Sequence, residues 1–158
     1  MRLILALALA FAFAGVIAQE ARMPTLASLG KPAEIRKAAN GETVHYFPQL
    51  PWGHRSYAAR YNSSGKLISY EQILTEKNIA KVVKDKTKKS EVRDLLGPPW
   101  QPETYPLSKI TMWTYPMKIA GDPNPKWFVV QMTPDGVVRD TKLMNDPQFD
   151  QPWGFRRR

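Results

Sequence analysis

The chain contains no cysteine among its 158 residues. Disulfides, thiolate nucleophiles and cysteine-bound metals are thereby excluded, and the fold has to stand on its apolar core. Histidine is almost as scarce, with only His45 and His54. Their spacing matches no metal-ligand pattern, and neither lies in a nucleophile-elbow motif of the kind that accompanies a Ser-His-Asp arrangement. His45, in an expected strand, reads as a partly buried, hydrogen-bonded residue. Acidic residues are outnumbered, 14 Asp and Glu against 23 Lys and Arg, for a formal net charge of +9. The carboxylates are spread without an obvious pair. The expectation is therefore no enzyme, no metal and no cofactor.

Long apolar runs are also missing after the first twenty residues. Met1-Arg2 is a short basic start, Leu3–Ala14 is apolar, and Val16-Ile17-Ala18 is a small-residue cleavage site. This reads as a secretory signal over residues 1–18, with cleavage after Ala18 or after Ala14. At about a dozen apolar residues it falls short of the roughly 20 that span a bilayer as a helix. The expected location is the periplasm or the outer membrane. Removing the segment costs one positive charge, Arg2, so the exported chain stays strongly basic. Such a chain favours anionic partners, namely phospholipid headgroups, lipopolysaccharide phosphates or acidic protein faces, unless the charge serves solubility alone. An exported protein is not expected to meet nucleic acid.

What the sequence does have is a pattern that recurs in order. Leu29-Gly30-Lys31-Pro32 is answered by Leu96-Gly97-Pro98-Pro99, and Val44-His45-Tyr46-Phe47 by Met112-Trp113-Thr114-Tyr115. Tyr57–Tyr61 before the turn Asn62–Lys66 matches Phe128–Met132 before Thr133–Gly136. The offset grows from about 67 to about 71 residues, as in a tandem duplication with extra loop residues in the second copy. The predicted fold is α+β: each unit has a short helix or helices followed by three antiparallel strands, with the helices packed on one face of the sheet. The boundaries are 1–18 signal, 19–74 a first repeat truncated at its start, 75–147 the second repeat, and 148–158 a basic tail ending in Arg156-Arg157-Arg158.

In the second repeat Ile79, Val82 and Val83 have helical spacing within Glu76–Val83. A second helix, capped by Thr87 or Ser90, runs to Leu96 and turns Val92, Leu95 and Leu96 inward. Gly97 stops it and Pro98-Pro99 forbids continuation. Strands are predicted at Ile110–Tyr115, Trp127–Met132 and Val137–Lys142, with counterparts at Thr43–Phe47, Ser56–Tyr61 and Lys66–Ile73.

Two groups of residues stand out as candidate contacts. Trp52 and Arg55 lie in the turn Pro51-Trp52-Gly53-His54-Arg55, and Trp100 follows Gly97-Pro98-Pro99. Aromatic and arginine side chains are favoured at the centres of protein interfaces, so these three are the candidate partner-binding residues; the alternative is a lid folded over the sheet edge. Lys81, Lys84, Lys86, Lys88 and Lys89 cluster with Asp85 as the only acid among them. They either sit on an anionic membrane or form a solvated loop. Trp113, Tyr115, Tyr46 and Phe47 are assigned to packing rather than to a binding platform.

The run Glu91-Val92-Arg93-Asp94-Leu95-Leu96-Gly97-Pro98-Pro99, followed by Trp113-Thr114-Tyr115, Phe128-Val129-Val130 and Asp135-Gly136-Val137-Val138, resembles the SmpA/OmlA family of BamE-like outer-membrane lipoproteins. With Gly30-Lys31-Pro32, Pro51-Trp52-Gly53 and Gly65-Lys66-Leu67 in the first half, the layout resembles a two-copy proteobacterial variant. The doubled unit is also distantly similar to the β-lactamase-inhibitor proteins. The resemblance implies a non-catalytic module that binds protein partners of the envelope, including the β-barrel assembly machinery, and anionic phospholipid. The inhibitor likeness implies instead a soluble periplasmic module that binds protein through its sheet. Two features depart from the family: Val16 stands where the lipoproteins carry the lipidated cysteine, and Lys86 where a glycine usually opens the helix before Glu91-Val92.

Overall fold

Alternating apolar and polar residues build most of this molecule, and two hairpin turns set its register. The computed structural model describes residues 24–38 and 40–149. The signal segment 1–18 and the arginines 156–158 of the basic tail lie outside the described residues. After a single helical turn α1 (Leu26–Leu29), strands β1 (Glu34–Lys37), β2 (Thr43–Pro48), β3 (Ser56–Tyr61) and β4 (Leu67–Gln72) form an antiparallel meander in sequence order. Two helices follow, α2 (Glu76–Ile79) and α3 (Lys89–Leu96). A second meander then runs through β5 (Gln101–Tyr105), β6 (Ile110–Met117), β7 (Lys126–Met132) and β8 (Val138–Asn145).

Each meander ends in a hairpin closed by side-chain acceptors in its turn. Asn62 Oδ1 accepts from the backbone N–H groups of Ser64 (3.1 Å) and Lys66 (2.8 Å), and Thr133 Oγ1 accepts from Val137 N–H (3.2 Å). Such short polar side chains stabilise turns by replacing backbone partners. The register shifts before both turns, at Arg60/Tyr61 and Gln131/Met132.

The α+β prediction does not hold. The described chain is mostly β: two four-stranded antiparallel sheets with three short helices of four, four and eight residues. It is not a pair of helix-covered three-stranded units. Three physical reasons account for the difference. Strands β1 and β5 are edge strands of polar composition, Glu-Ile-Arg-Lys and Gln-Pro-Glu-Thr-Tyr, and β5 is exposed along its whole length. Neither carries an apolar alternation, and Pro102 is tolerated because an edge strand has one side free of ladder bonds. The expected helix Glu76–Val83 stops after one turn. Val83 N–H, which a continuing helix would give to the Ile79 carbonyl, donates instead to Thr87 Oγ1 at 2.8 Å. Nor do the helices share a face. Leu26 and Leu29 of α1 pack with Phe47, Tyr57 and Ala59 on one side of the first sheet, whereas Val44, Tyr46 and Ala58 face the other way.

That other side meets the end of α3. Val92 and Leu96 are fully buried in the main core with Trp113, Tyr115, Phe128, Val130 and Val138 of the second sheet. Each such side chain contributes about 1.5–3 kcal/mol by burial. Tyr115, with no exposed surface, donates its hydroxyl to the Gly97 carbonyl (3.1 Å), and burial pushes that hydroxyl far above its ordinary pKa. Gly97 itself lies against Tyr46, Ser56 and Ile73 of the first half. One short helix therefore sits in the seam between the sheets. Tyr46, Phe47, Trp113 and Tyr115 are all buried.

Candidate functional site

The loop from β2 to β3 is drawn tight by its own backbone. Gln49 N–H donates to the Arg55 carbonyl (2.8 Å) and Gly53 N–H to the Gln49 carbonyl (2.6 Å). A β-carbon at position 53 would lie 2.5 Å from the Gln49 carbonyl oxygen, so only glycine fits the turn. The turn pushes Trp52 outward, 78% exposed. Trp100 is fixed from the other half, where its N–H donates to the Thr114 carbonyl (3.0 Å) after the Pro98-Pro99 step. Its ring meets that of Trp127, on β7, edge to face at 5.6 Å between centroids.

Trp52, Trp100 and Trp127 line one small cavity of about 50 Å³, together with Pro51, His54, Asp146, Gln148 and Phe149. Asp146 is only 5% exposed. It closes a local turn, its Oδ1 accepting from Gln148 N–H (2.9 Å) and its carbonyl from Phe149 N–H (2.9 Å). Burial, and next the Lys118 charge, hold the His54 imidazole below its ordinary pKa, while Asp146 pulls the other way. The structure thus joins two of the three candidate partner residues. Arg55 is not with them: it lines a separate depression with Pro24, Gln49, Gly53 and Tyr57. His54, Trp127, Asp146 and Phe149 were not singled out from the sequence as contacts. Trp127 alternates correctly for a strand but gives no sign of which face it occupies.

The lysine cluster occupies a second place. Lys81, Lys84, Lys86, Lys88 and Lys89 are all exposed. Their loop is clamped to the β7–β8 hairpin. Asp85 N–H donates to the Val138 carbonyl (2.7 Å), Val138 N–H to the Thr87 carbonyl (2.9 Å) and Lys89 N–H to the Gly136 carbonyl (2.7 Å). The α3 N-terminus is closed by Glu91, whose Oε2 accepts from Lys88 N–H (2.6 Å).

Lys88 and Lys89 lie on an open groove of about 720 Å³, with Arg36, Arg93, Trp113 and the Pro134–Val137 hairpin around it. The Lys89 ammonium stands 5.4 Å and the Arg93 guanidinium 5.3 Å from the Trp113 ring centroid, within cation–π range. Arg93 pairs with Glu34, and Arg36 with Asp94. Both pairs join β1 to α3. Lys81, Lys84 and Lys86 do not line the groove; Lys81 donates to Asn78 Oδ1 (3.0 Å). Arg93 was detectable as a groove residue from its i, i+4 relation to Lys89. Arg36 was not, since it stands on the unread strand β1.

His45 rests on the Tyr61 ring, 4.6 Å between centroids. Among the described residues no group of three His, Asp or Glu side chains is gathered for a metal ion. No protein-family model, curated protein or solved structure matches the chain.

Proposed function

We propose that this chain is a non-catalytic accessory protein of the bacterial cell envelope that holds a protein partner beside an anionic membrane surface. The observation that carries the reading is the clamped lysine loop. Five exposed lysines, Lys81 to Lys89, lie on one stretch of backbone that hydrogen bonds at Asp85, Thr87 and Lys89 fasten to the β7–β8 hairpin. Each lysine near an anionic surface contributes about 1 kcal/mol, a contribution that salt screens. The likeness to the BamE-like lipoproteins supports the same reading and points to the β-barrel assembly machinery as the protein partner. The signal-like first eighteen residues support an exported location, in the periplasm or at the outer membrane.

The test is co-sedimentation with vesicles. The protein is expected to pellet with vesicles containing phosphatidylglycerol, to be released at about 1 M salt, where the Debye length is about 3 Å, and to ignore pure phosphatidylcholine. Equal binding to both vesicle types removes the membrane half of the proposal. Crosslinking in intact envelopes is expected to recover barrel-assembly components; their consistent absence removes that partner.

A second reading, a soluble periplasmic module that binds protein through its sheet, is favoured by one observation. Gln101, Glu103 and Tyr105 of β5, all exposed, share a face with Met112, Gln131 and Lys142. Release of the protein by osmotic shock supports this second reading, and sedimentation with the outer membrane supports the first.

A further inference from the structure

The aromatic cavity has a chemistry that the membrane reading does not use. Four aromatic side chains, Trp52, Trp100, Trp127 and Phe149, line it with Asp146. Aromatic faces carry negative potential and attract cations, guanidinium above all. Asp146 is buried, and no ion pair joins it to a cation among the described residues. A positive group entering the cavity would find this carboxylate as its counter-charge, one of its oxygens already held by Gln148 N–H. Burial and the Lys118 charge disfavour a proton on the neighbouring His54 imidazole.

Size narrows the occupant. At about 50 Å³ the cavity is about a third of the roughly 150 Å³ that takes up a benzene ring, and so excludes a sugar ring or a nucleobase. It fits the tip of one side chain. Lys118, the nearest cation named in the His54 electrostatics, does not line it.

We infer that this pocket receives one arginine side chain of a protein partner, its guanidinium lying against the indole faces with Asp146 as counter-charge. The inference deepens the protein-binding half of the function proposed above. It shares no residue with the basic groove, so the two fail separately.

The experiment titrates the full chain with acetyl-Ala-Arg-Ala-amide, followed by tryptophan fluorescence, beside the norleucine and glutamine counterparts. The arginine peptide is expected to saturate in the millimolar range and to bind at least about tenfold more tightly than either neutral peptide. Asp146→Asn, which keeps the Oδ1 acceptor for Gln148, is expected to weaken the arginine peptide about tenfold and leave the neutral ones unchanged. Trp52→Ala removes a side chain 78% exposed, so the fold survives it, and is expected to cost about fivefold. Equal affinity for the arginine and norleucine peptides overturns the inference. So does an arginine peptide that fails to saturate by about 20 mM, or one that binds both variants as it binds the native protein. Intact vesicle binding alongside any of these results retires the pocket and leaves the membrane reading standing.

Discussion

At the scale of single residues, Gly97 is the position least open to change. Its backbone sits at φ 78°, ψ −166°, a region that only glycine occupies without strain. A β-carbon there would lie 3.1 Å from both Ile73 Cδ1 and Ser56 Oγ, and 3.2 Å from Tyr46 Cδ1. Gly97→Ala is therefore expected to destabilise the protein by about 2–4 kcal/mol in urea unfolding, combining backbone strain with overpacking. The glycine was legible as a helix stop, but its contact with the opposite half was not, since nothing in a local pattern says what lies across a seam. His54 gives a pH-dependent prediction. The folded imidazole binds its proton less readily than the unfolded chain, whose pKa is near 6.5. The corresponding stability is complete above that value and is lost as pH falls through it toward the lower folded pKa. His54→Asn, a residue that tolerates the observed φ of 51°, is expected to flatten the change in urea midpoint between about pH 8 and pH 5. An unaltered slope would show that other groups carry it.

At the scale of elements, strands whose apolar residues alternate were read within a residue or two of their observed ends: Thr43–Pro48, Ser56–Tyr61 and Lys126–Met132. Strands β1 and β5 were not, because their polar sequences leave no apolar alternation to read, whereas the other two edge strands, β4 and β8, were read. The α3 stripe Val92 and Leu96 was legible from helical spacing, while α2 was overextended because Ile79, Val82 and Val83 keep that spacing even where the chain has turned away. Thr87 is the residue that turns it. Its Oγ1 holds Val83 N–H at 2.8 Å, and its side chain is nearly buried. Thr87→Val keeps the shape and removes the acceptor, so it is expected to cost about 1–3 kcal/mol and to speed amide exchange through Val83–Lys86. Unchanged exchange there would mean that the hairpin clamp alone orders the lysine loop.

At the scale of the whole molecule, α3 connects the two sheets in three ways. Its apolar side enters the core of the second sheet, Arg93 and Asp94 pair with Glu34 and Arg36 of β1, and Gly97 closes on the face of the first sheet. The ion pairs, partly exposed, contribute about 0–1 kcal/mol each and serve register more than stability. Two surfaces result: an aromatic pocket drawn from both halves, and a basic groove with a lysine loop beside it. Composition announced the excess of positive charge, and the loop lysines were visible as a run. That Trp52 lines one cavity with Trp100 and Trp127, while Arg55 lines another, depends on a fold in which the loop of one sheet reaches the other.

The central claim is that the placement of the lysines, and not the net charge alone, directs the protein to anionic membrane. Two variants of equal charge separate these. One replaces Lys84, Lys86, Lys88 and Lys89 by glutamine, and the other replaces the exposed lysines Lys37, Lys66, Lys109 and Lys142. In sedimentation with phosphatidylglycerol vesicles the loop variant is expected to lose more than about a hundredfold in apparent affinity, and the control less than about fivefold. Equal losses in the two variants would contradict the account.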